Sequence, residues 1–382
     1  MRCSFCFADN KNTGETCAVC GSPLRGLPPQ KAVVAQQSST RSDEMAASLP
    51  APRAILPKPA KRKTTIQEQS PARELQLIAH HKLEEPLLCA SFWTQSRQDD
   101  AIVFVTRRGE LQLWNPQSDT VQIVSAPRAK TVSAPLITSF DAANGHIVLA
   151  WEDGRTELLD VTRGARSTRL SGEGAKATSL ALAGKAQVLA VAGEDGTIRL
   201  WDLSSPKPTP QTTMDLCGLH RVAIAPDAAW LACGDDSGQV QVWNMKAQPL
   251  AQSQWNFDAH RLWVSSLAFS PNAQMLASGG YDGTVLLYAS QNGFEMARFP
   301  SQDQDAEFGA VSSLCFAGNR LVAIAYAQGT VALLDSWTGT TTPLTHLSSA
   351  VTYLATSSDG DLLLALCRNE ALLWRLPFLS LS

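Results

Sequence analysis

Glu194-Asp195-Gly196-Thr197-Ile198-Arg199-Leu200-Trp201-Asp202 is the stretch from which the other residues of this 382-residue chain can be read. A small-residue turn, Asp195-Gly196, is followed five residues after the glycine by Trp201. The residues between alternate in polarity, which is the pattern of a strand. Asp-Gly is a hairpin dipeptide because its residues tolerate the positive φ angles a tight turn needs. The same unit returns as Tyr281-Asp282-Gly283-Thr284-Val285-Leu286-Leu287-Tyr288. It returns again from Arg108-Gly109 to Trp114, Asp153-Gly154 to Leu159, Ser237-Gly238 to Trp243 and Gln328-Gly329 to Leu334. A seventh copy, Arg368-Asn369 to Trp374, has lost its glycine. The closing residues 114, 159, 201, 243, 288, 334 and 374 are spaced by 45, 42, 42, 45, 46 and 40. A period of about 40–45 residues with four strands per unit is that of a propeller blade.

Apolar runs precede each turn, as in Ala101 to Val105, His146 to Ala150 and Leu321 to Ala325. A further run lies upstream again, as in Val264 to Phe269 before Ser270-Pro271-Asn272. This arrangement resembles the WD-repeat β-propeller family over roughly residues 74–382. The resemblance implies an all-β, seven-bladed ring. It also implies a buried hydrogen-bonded set of a histidine, a strand hydroxyl, the turn aspartate and the strand aromatic. In the blade ending at Tyr288 these are His260, Ser278, Asp282 and Tyr288, the last standing where the family's usual residue is tryptophan.

Net charge of −3 and 18% charged residues describe an ordinary soluble chain without the basic excess of a dedicated nucleic-acid binder. No run of 18 apolar residues exists, and the N-terminus has cysteines where a signal peptide has its apolar core, so no membrane contact is expected. Of nine cysteines, four form a metal pattern, and Cys89, Cys217, Cys233, Cys315 and Cys367 stand singly, which fits a reducing cytoplasm.

Residues 1–26 read as a separate zinc ribbon. Cys3 and Cys6, then Cys17 and Cys20, offer two thiolates from each of two knuckles at structural Zn2+ spacing. A segment this short has too little apolar area for its own core, so metal binding would supply its folding free energy. With Asn10 between the cysteine pairs, it resembles the Ran-binding-protein type of zinc finger, some of whose members bind ubiquitin and others single-stranded RNA. Phe7-Ala8 stand where the ubiquitin binders carry Thr-Phe, and Lys11 stands where the RNA binders carry tryptophan. The resemblance therefore carries a metal site rather than a ligand. Residues 27–73 have the Pro, Ala, Ser, Gln and charged composition of a disordered linker. Within them Lys58, Lys61, Arg62 and Lys63 form a local basic cluster that could touch RNA or DNA.

Residues 74–382 are the expected propeller. Only eight residues follow Trp374, too few for a turn and a full outer strand. The alternating stretch at 74–80 is therefore expected to supply the outer strand of blade seven and close the ring. No phosphate loop, His-Glu-x2-His or Gly-x-Ser-x-Gly motif appears, so the reading is non-enzymatic. Seven residues before each closing residue lie Arg107, Glu152, Glu194, Asp236, Tyr281, Ala327 and Cys367. In WD-repeat propellers that position tends to face the rim used for partners. This gives an acidic arc at Glu152, Glu194 and Asp236 with Asp235 adjoining, a basic one at Arg107, Arg108 and Arg368, and Tyr281 as an aromatic anchor. Trp151, Trp255, Trp263 and Trp337 fall outside the strand-end position and are expected to pack between blades or under loops. The functional expectation is a scaffold binding a protein or peptide, with the zinc ribbon as a second module. The alternative is a nucleic-acid-associated protein using the ribbon and the basic cluster.

Overall fold

The structure, a computed structural model, describes residues 76–376 apart from 86, 95–99, 107–108, 126–134, 142–145, 152, 161–165, 171–174, 185, 206–209, 216–217, 248–252, 301–308, 348, 358 and 369. All of these belong to one unit, Arg73–Ser382. The expected zinc ribbon and linker lie outside the described residues, and with them Cys3, Cys6, Cys17, Cys20, Lys58, Lys61, Arg62 and Lys63. Arg107, Arg108 and Glu152 of the expected rim also lie outside them.

Among the described residues, twenty-eight strands form seven four-stranded antiparallel sheets. The chain enters on β1 (Gln76–Lys82). Blade one is β2 (Leu87–Thr94), β3 (Asp100–Thr106), β4 (Leu111–Asn115) and β5 (Thr120–Ser125). Blade two is β6 (Pro135–Asp141), β7 (His146–Trp151), β8 (Thr156–Asp160) and β9 (Arg166–Arg169). Blade three is β10 (Ala177–Ala183), β11 (Val188–Gly193), β12 (Thr197–Asp202) and β13 (Pro210–Asp215). Blade four is β14 (Leu219–Ile224), β15 (Trp230–Asp235), β16 (Gln239–Asn244) and β17 (Trp255–Asp258). Blade five is β18 (Val264–Phe269), β19 (Met275–Gly280), β20 (Val285–Ala289) and β21 (Glu295–Phe299). Blade six is β22 (Val311–Ala317), β23 (Leu321–Tyr326), β24 (Thr330–Asp335) and β25 (Thr341–His346). Blade seven has β26 (Val351–Thr356), β27 (Leu362–Cys367) and β28 (Glu370–Arg375), and takes its fourth strand from the other end of the chain.

The apolar runs of the sequence become the second strands, which are buried on both faces because each sheet lies between two others. All six residues of β19 are buried, as are Val322 to Tyr326 of β23. Outer strands are wet, and β21 begins with exposed Glu295 and Met296. Consequently the apolar clusters lie between blades and not within them. One joins Ala192, Ile198 and Leu200 of blade three to Leu231, Cys233 and Trp243 of blade four. Another joins Ile102, Phe104 and Trp114 of blade one to Leu364, Leu366 and Leu373 of blade seven.

Every inner strand carries a bulge at the same place, between Leu87 and Cys89, Pro135 and Ile137, Ala177 and Ser179, Leu219 and Arg221, Val264 and Ser266, Val311 and Ser313, and Val351 and Tyr353. A bulge twists the strand and re-aims the side chains beside it. From these positions Ser179, Ser266 and Ser313 each accept a 3.1 Å hydrogen bond from the backbone N–H of the next blade's inner strand, at Val222, Leu314 and Leu354. Arg221 makes the corresponding link from blade four, its Nε donating to the Ser265 carbonyl at 2.7 Å.

The closing strand, expected near 74–80, runs Gln76–Lys82 and pairs antiparallel with β28, from Gln76 opposite Arg375 to Lys82 opposite Glu370. Its side chains also reach blade one. The ring of His81 lies 5.4 Å from that of Trp114, and His81 Nδ1 is 2.8 Å from Asp119 Oδ1. The Trp114 indole N–H donates to the same oxygen at 2.9 Å. These two partners hold the Asp119 carboxyl below the usual carboxylate range. Deleting residues 1–60 is expected to change Tm by less than about 2 °C. Deleting 1–82 uncovers the β28 edge and should abolish the cooperative transition, as read by calorimetry. Equal Tm values for the two truncations would show that β1 is dispensable.

Candidate protein-binding face

The repeated turn joins the second and third strands of each blade. Its glycine has positive φ at Gly109, Gly154, Gly196, Gly238, Gly283 and Gly329, between 78° and 97°. The preceding aspartate does not share that conformation, which corrects the expectation that both turn residues would. Its carboxylate instead accepts hydrogen bonds from the chain beyond the glycine. Asp195 Oδ1 receives the Thr197 N–H and hydroxyl at 3.1 and 2.7 Å, and Asp282 Oδ1 receives those of Thr284 at 3.0 and 2.7 Å. These local caps fix the turn.

In blade five the turn is tied inward. His260, 7% exposed, places Nε2 2.9 Å from Ser278 Oγ and Nδ1 2.8 Å from Thr284 Oγ1. Its Nδ1 lies 3.4 Å from Asp282 Oδ1, while Asp282 Oδ2 accepts the Arg261 N–H at 2.8 Å. Thr284 is thus a member that the sequence reading missed, although its hydroxyl two residues after the aspartate was visible there. Tyr288 departs from the expected role. Its phenol is buried near Ser278 but makes no hydrogen bond of acceptable geometry, and its ring stacks on Phe257 with centroids 4.4 Å apart. A phenolic oxygen at the end of a tyrosine stands elsewhere than an indole nitrogen, so the expected tyrosine link is not made. Burial opposes the charge of Asp282, but the bonds from His260, Arg261 and Thr284 outweigh it and hold the carboxyl well below the usual range.

The turn face brings together three segments at blades four and five. Gly238 packs so closely on the incoming connection that a Cβ there would lie 2.2 Å from the His260 carbonyl and 2.6 Å from that of Leu262. Next to it the rings of Trp263 and Tyr281 meet at a 36° tilt with centroids 4.2 Å apart, and the Tyr281 N–H donates to the Trp263 carbonyl at 3.0 Å. Both rings are half-buried, while Arg261 and Leu262 just before them in the chain, and Asp236 in the turn of blade four, are exposed.

The rest of the expected rim needs correction. Ala327 and Cys367 are buried, because small side chains at that position tuck under the turn. Glu194 is exposed, but its carboxylate lies 2.9 Å from Lys176 Nζ. Asp235 caps its own turn, accepting from Ser237 and Gln239 backbone N–H groups at 3.0 and 2.8 Å. The acidic arc is therefore weaker than a count of carboxylates implies. Trp151 is buried, Trp255 and Trp263 are half-buried, and Trp337 is the exception at 69% exposed. Arg320, held by Asp335, lies 4.8 Å over the Trp337 ring.

Residues 164–202, 212–244 and 251–288 match the family described as WD domain, G-beta repeat. Each match starts in or just before the outer strand of one blade and runs into the third strand of the next. The repeat of the sequence is thus offset by one strand from the blade of the structure. Among solved structures, a chain from "Crystal Structure of Mitotic Checkpoint Complex" is similar with a TM-score of 0.65 and 16% identity, covering 85% of this chain and 99% of that one. At this identity the likeness defines the fold. No curated protein matches the sequence. The chain carries WD40 repeats in a seven-bladed β-propeller, a class that commonly serves as a protein-interaction scaffold and is generally non-enzymatic.

Asp282→Asn is expected to cost about 3 kcal/mol at neutral pH by leaving His260 and the turn without their anionic partner. A depressed carboxyl contributes its stability above the unfolded pKa of about 3.9 and loses it as pH falls through the folded value. Denaturant titrations should therefore show the wild-type advantage over Asp282→Asn shrinking below about pH 4. A difference independent of pH would show that the charge is not what stabilises the turn.

Proposed function

We propose that the propeller is a non-enzymatic scaffold that docks a protein segment on its turn face at blades four and five. The observation that carries this reading is the half-buried, tilted Trp263–Tyr281 pair, with exposed Arg261 and Leu262 directly before it in the chain. Aromatic anchors in a partly desolvated setting with a polar surround are the usual centres of interface energy. Exposed Asp236 favours a partner with a basic residue at blade four. The similar solved chain comes from a structure described as a complex, which supports a protein partner in general terms. We further propose that Cys3, Cys6, Cys17 and Cys20 hold a structural Zn2+, since two Cys-x2-Cys pairs are the donor set of a closed tetrahedral site. The ribbon and propeller on one chain would raise the effective concentration of one partner near another. Residues 1–73, with Lys61, Arg62 and Lys63, are the part through which RNA or DNA would be bound.

The test is affinity capture with full-length protein and with residues 74–382, each with and without nuclease. A partner retained by 74–382 after nuclease, and weakened at least about tenfold by Tyr281→Ala or Asp236→Lys, supports the scaffold. Loss of every partner on nuclease treatment, or on removal of 1–73, would transfer the function to the ribbon and its basic cluster. Metal analysis should find zinc in the full-length protein and none after Cys3→Ser with Cys17→Ser; equal zinc in both would refute the four-thiolate site.

A further inference from the structure

Where the ring closes, the end of β1, the connection 83–85 and the outer part of blade one enclose a cavity of about 510 Å³. It lies at the seam that the terminal strand creates, beside the repeated turn of blade one, which Thr106 and Glu110 flank. Its volume falls within the range of sites that accept a small ligand or the side chains of a peptide, roughly 300–1,000 Å³. Leu83, Leu87, Val121 and Ile123 give it an apolar wall, and Ile123 is 64% exposed.

The charges around that wall are unbalanced. Glu84, Glu85, Glu110 and Asp119 line the cavity, against a single lysine, Lys82. Two of the carboxylates are held in place. Gln112 Nε2 donates to Glu110 Oε1 at 2.7 Å, and the Glu110 N–H donates to Thr106 Oγ1 at 3.1 Å. Asp119 is fixed by His81 and Trp114, as described above, and remains ionised across the neutral range. An apolar wall with fixed carboxylates at its rim matches a side chain that is apolar along its stem and cationic at its tip. Arginine and lysine have that form, with aliphatic carbons that lie on apolar surface while the charged head stays at the polar edge. Arginine has the further advantage of forked donors that meet carboxylates in pairs.

We propose that this closing-seam cavity is a second binding site, which takes an arginine or lysine flanked by aliphatic residues in a peptide segment of a partner protein. Charge complementarity selects the basic residue, and the leucine, valine and isoleucine wall selects its neighbours. The site exists only in the closed ring, because β1 brings His81 and Lys82 to residues of β4 and β5. Peptide binding here would therefore also hold the terminal strand in place.

The experiment uses full-length protein and a capped pentapeptide of alternating leucine and arginine, titrated by calorimetry. A control peptide replaces each arginine with norleucine, which keeps the apolar stem and removes the charge. Binding of the arginine peptide, little or none of the norleucine peptide, and a loss of about tenfold in Glu84→Gln with Glu110→Gln would support the site. A shift of the Ile123 methyl resonance on peptide addition would place the peptide in the cavity. The double variant Glu194→Gln with Asp236→Asn, on the turn face, should bind the peptide as wild type does. This separates failure of the cavity from failure of the turn-face reading. No binding at millimolar peptide, equal affinity for both peptides, or an Ile123 resonance that stays fixed would overturn the proposal.

Discussion

No blade of this propeller owns a core. The described apolar clusters each span two neighbouring sheets, so the inner faces of any one blade are covered only by the blades on either side. Hydrophobic stabilisation follows the apolar area removed from water, and here that removal requires a neighbour on both sides. The ring must therefore close, and the pairing of β1 with β28 is what closes it. The same strand reaches sideways through His81 to Asp119 and Trp114 of blade one. Closure is thus secured within one sheet and across one seam.

Polar chemistry is arranged around this requirement. A carboxylate in each of several turns caps the chain, but its further partner comes from different places. Asp195 in blade three uses Arg199 from its own hairpin, and Asp153 in blade two uses Arg155. Asp282 in blade five instead uses His260 from the incoming connection, which ties the turn to the next element of the ring. The hydrogen bonds of Asp195 with Thr197 and Arg199 overcome the cost of its burial and hold its pKa at about 2, so even a local cap keeps its charge through the neutral range. The serine links from bulge to neighbouring strand do for the channel side what these caps do for the turn face. They give buried backbone N–H groups of the next blade a partner.

Scaffolding follows from rigidity of this kind. A ring whose turns are capped individually and whose seams are apolar presents its loops with little freedom left to lose on binding. Gly238 packs closely on the connection that leads into the tilted Trp263–Tyr281 pair, so a structural glycine stands beside a candidate interface. Fold alone does not name a cargo, and the many solved chains of similar shape make that plain, with 1873 of them matching.

The repeat was legible because its cause is local. A glycine at positive φ, an aspartate that caps the following residues and a strand aromatic five residues later are choices made within one hairpin. Seven variants of this hairpin, not all of which keep the three residues, announce seven blades. The closing strand was legible too, since the stretch at 74–80 alternates in polarity as a strand does, and β1 pairs with β28. Other features depended on which side chains meet across seams, and spacing could not reveal them. Asp119 and His81 are 38 residues apart, and only the closed ring brings them within 2.8 Å and forms the cavity beside them. Glu194 looked like a free rim charge until Lys176 was placed against it, and Trp337 looked like a packing residue until the turn held it outwards. Sequence determined the repeated unit, because hairpin chemistry acts over a few bonds. Tertiary structure decided the sites, because burial and charge pairing are properties of neighbours that the chain brings together only when the ring is shut.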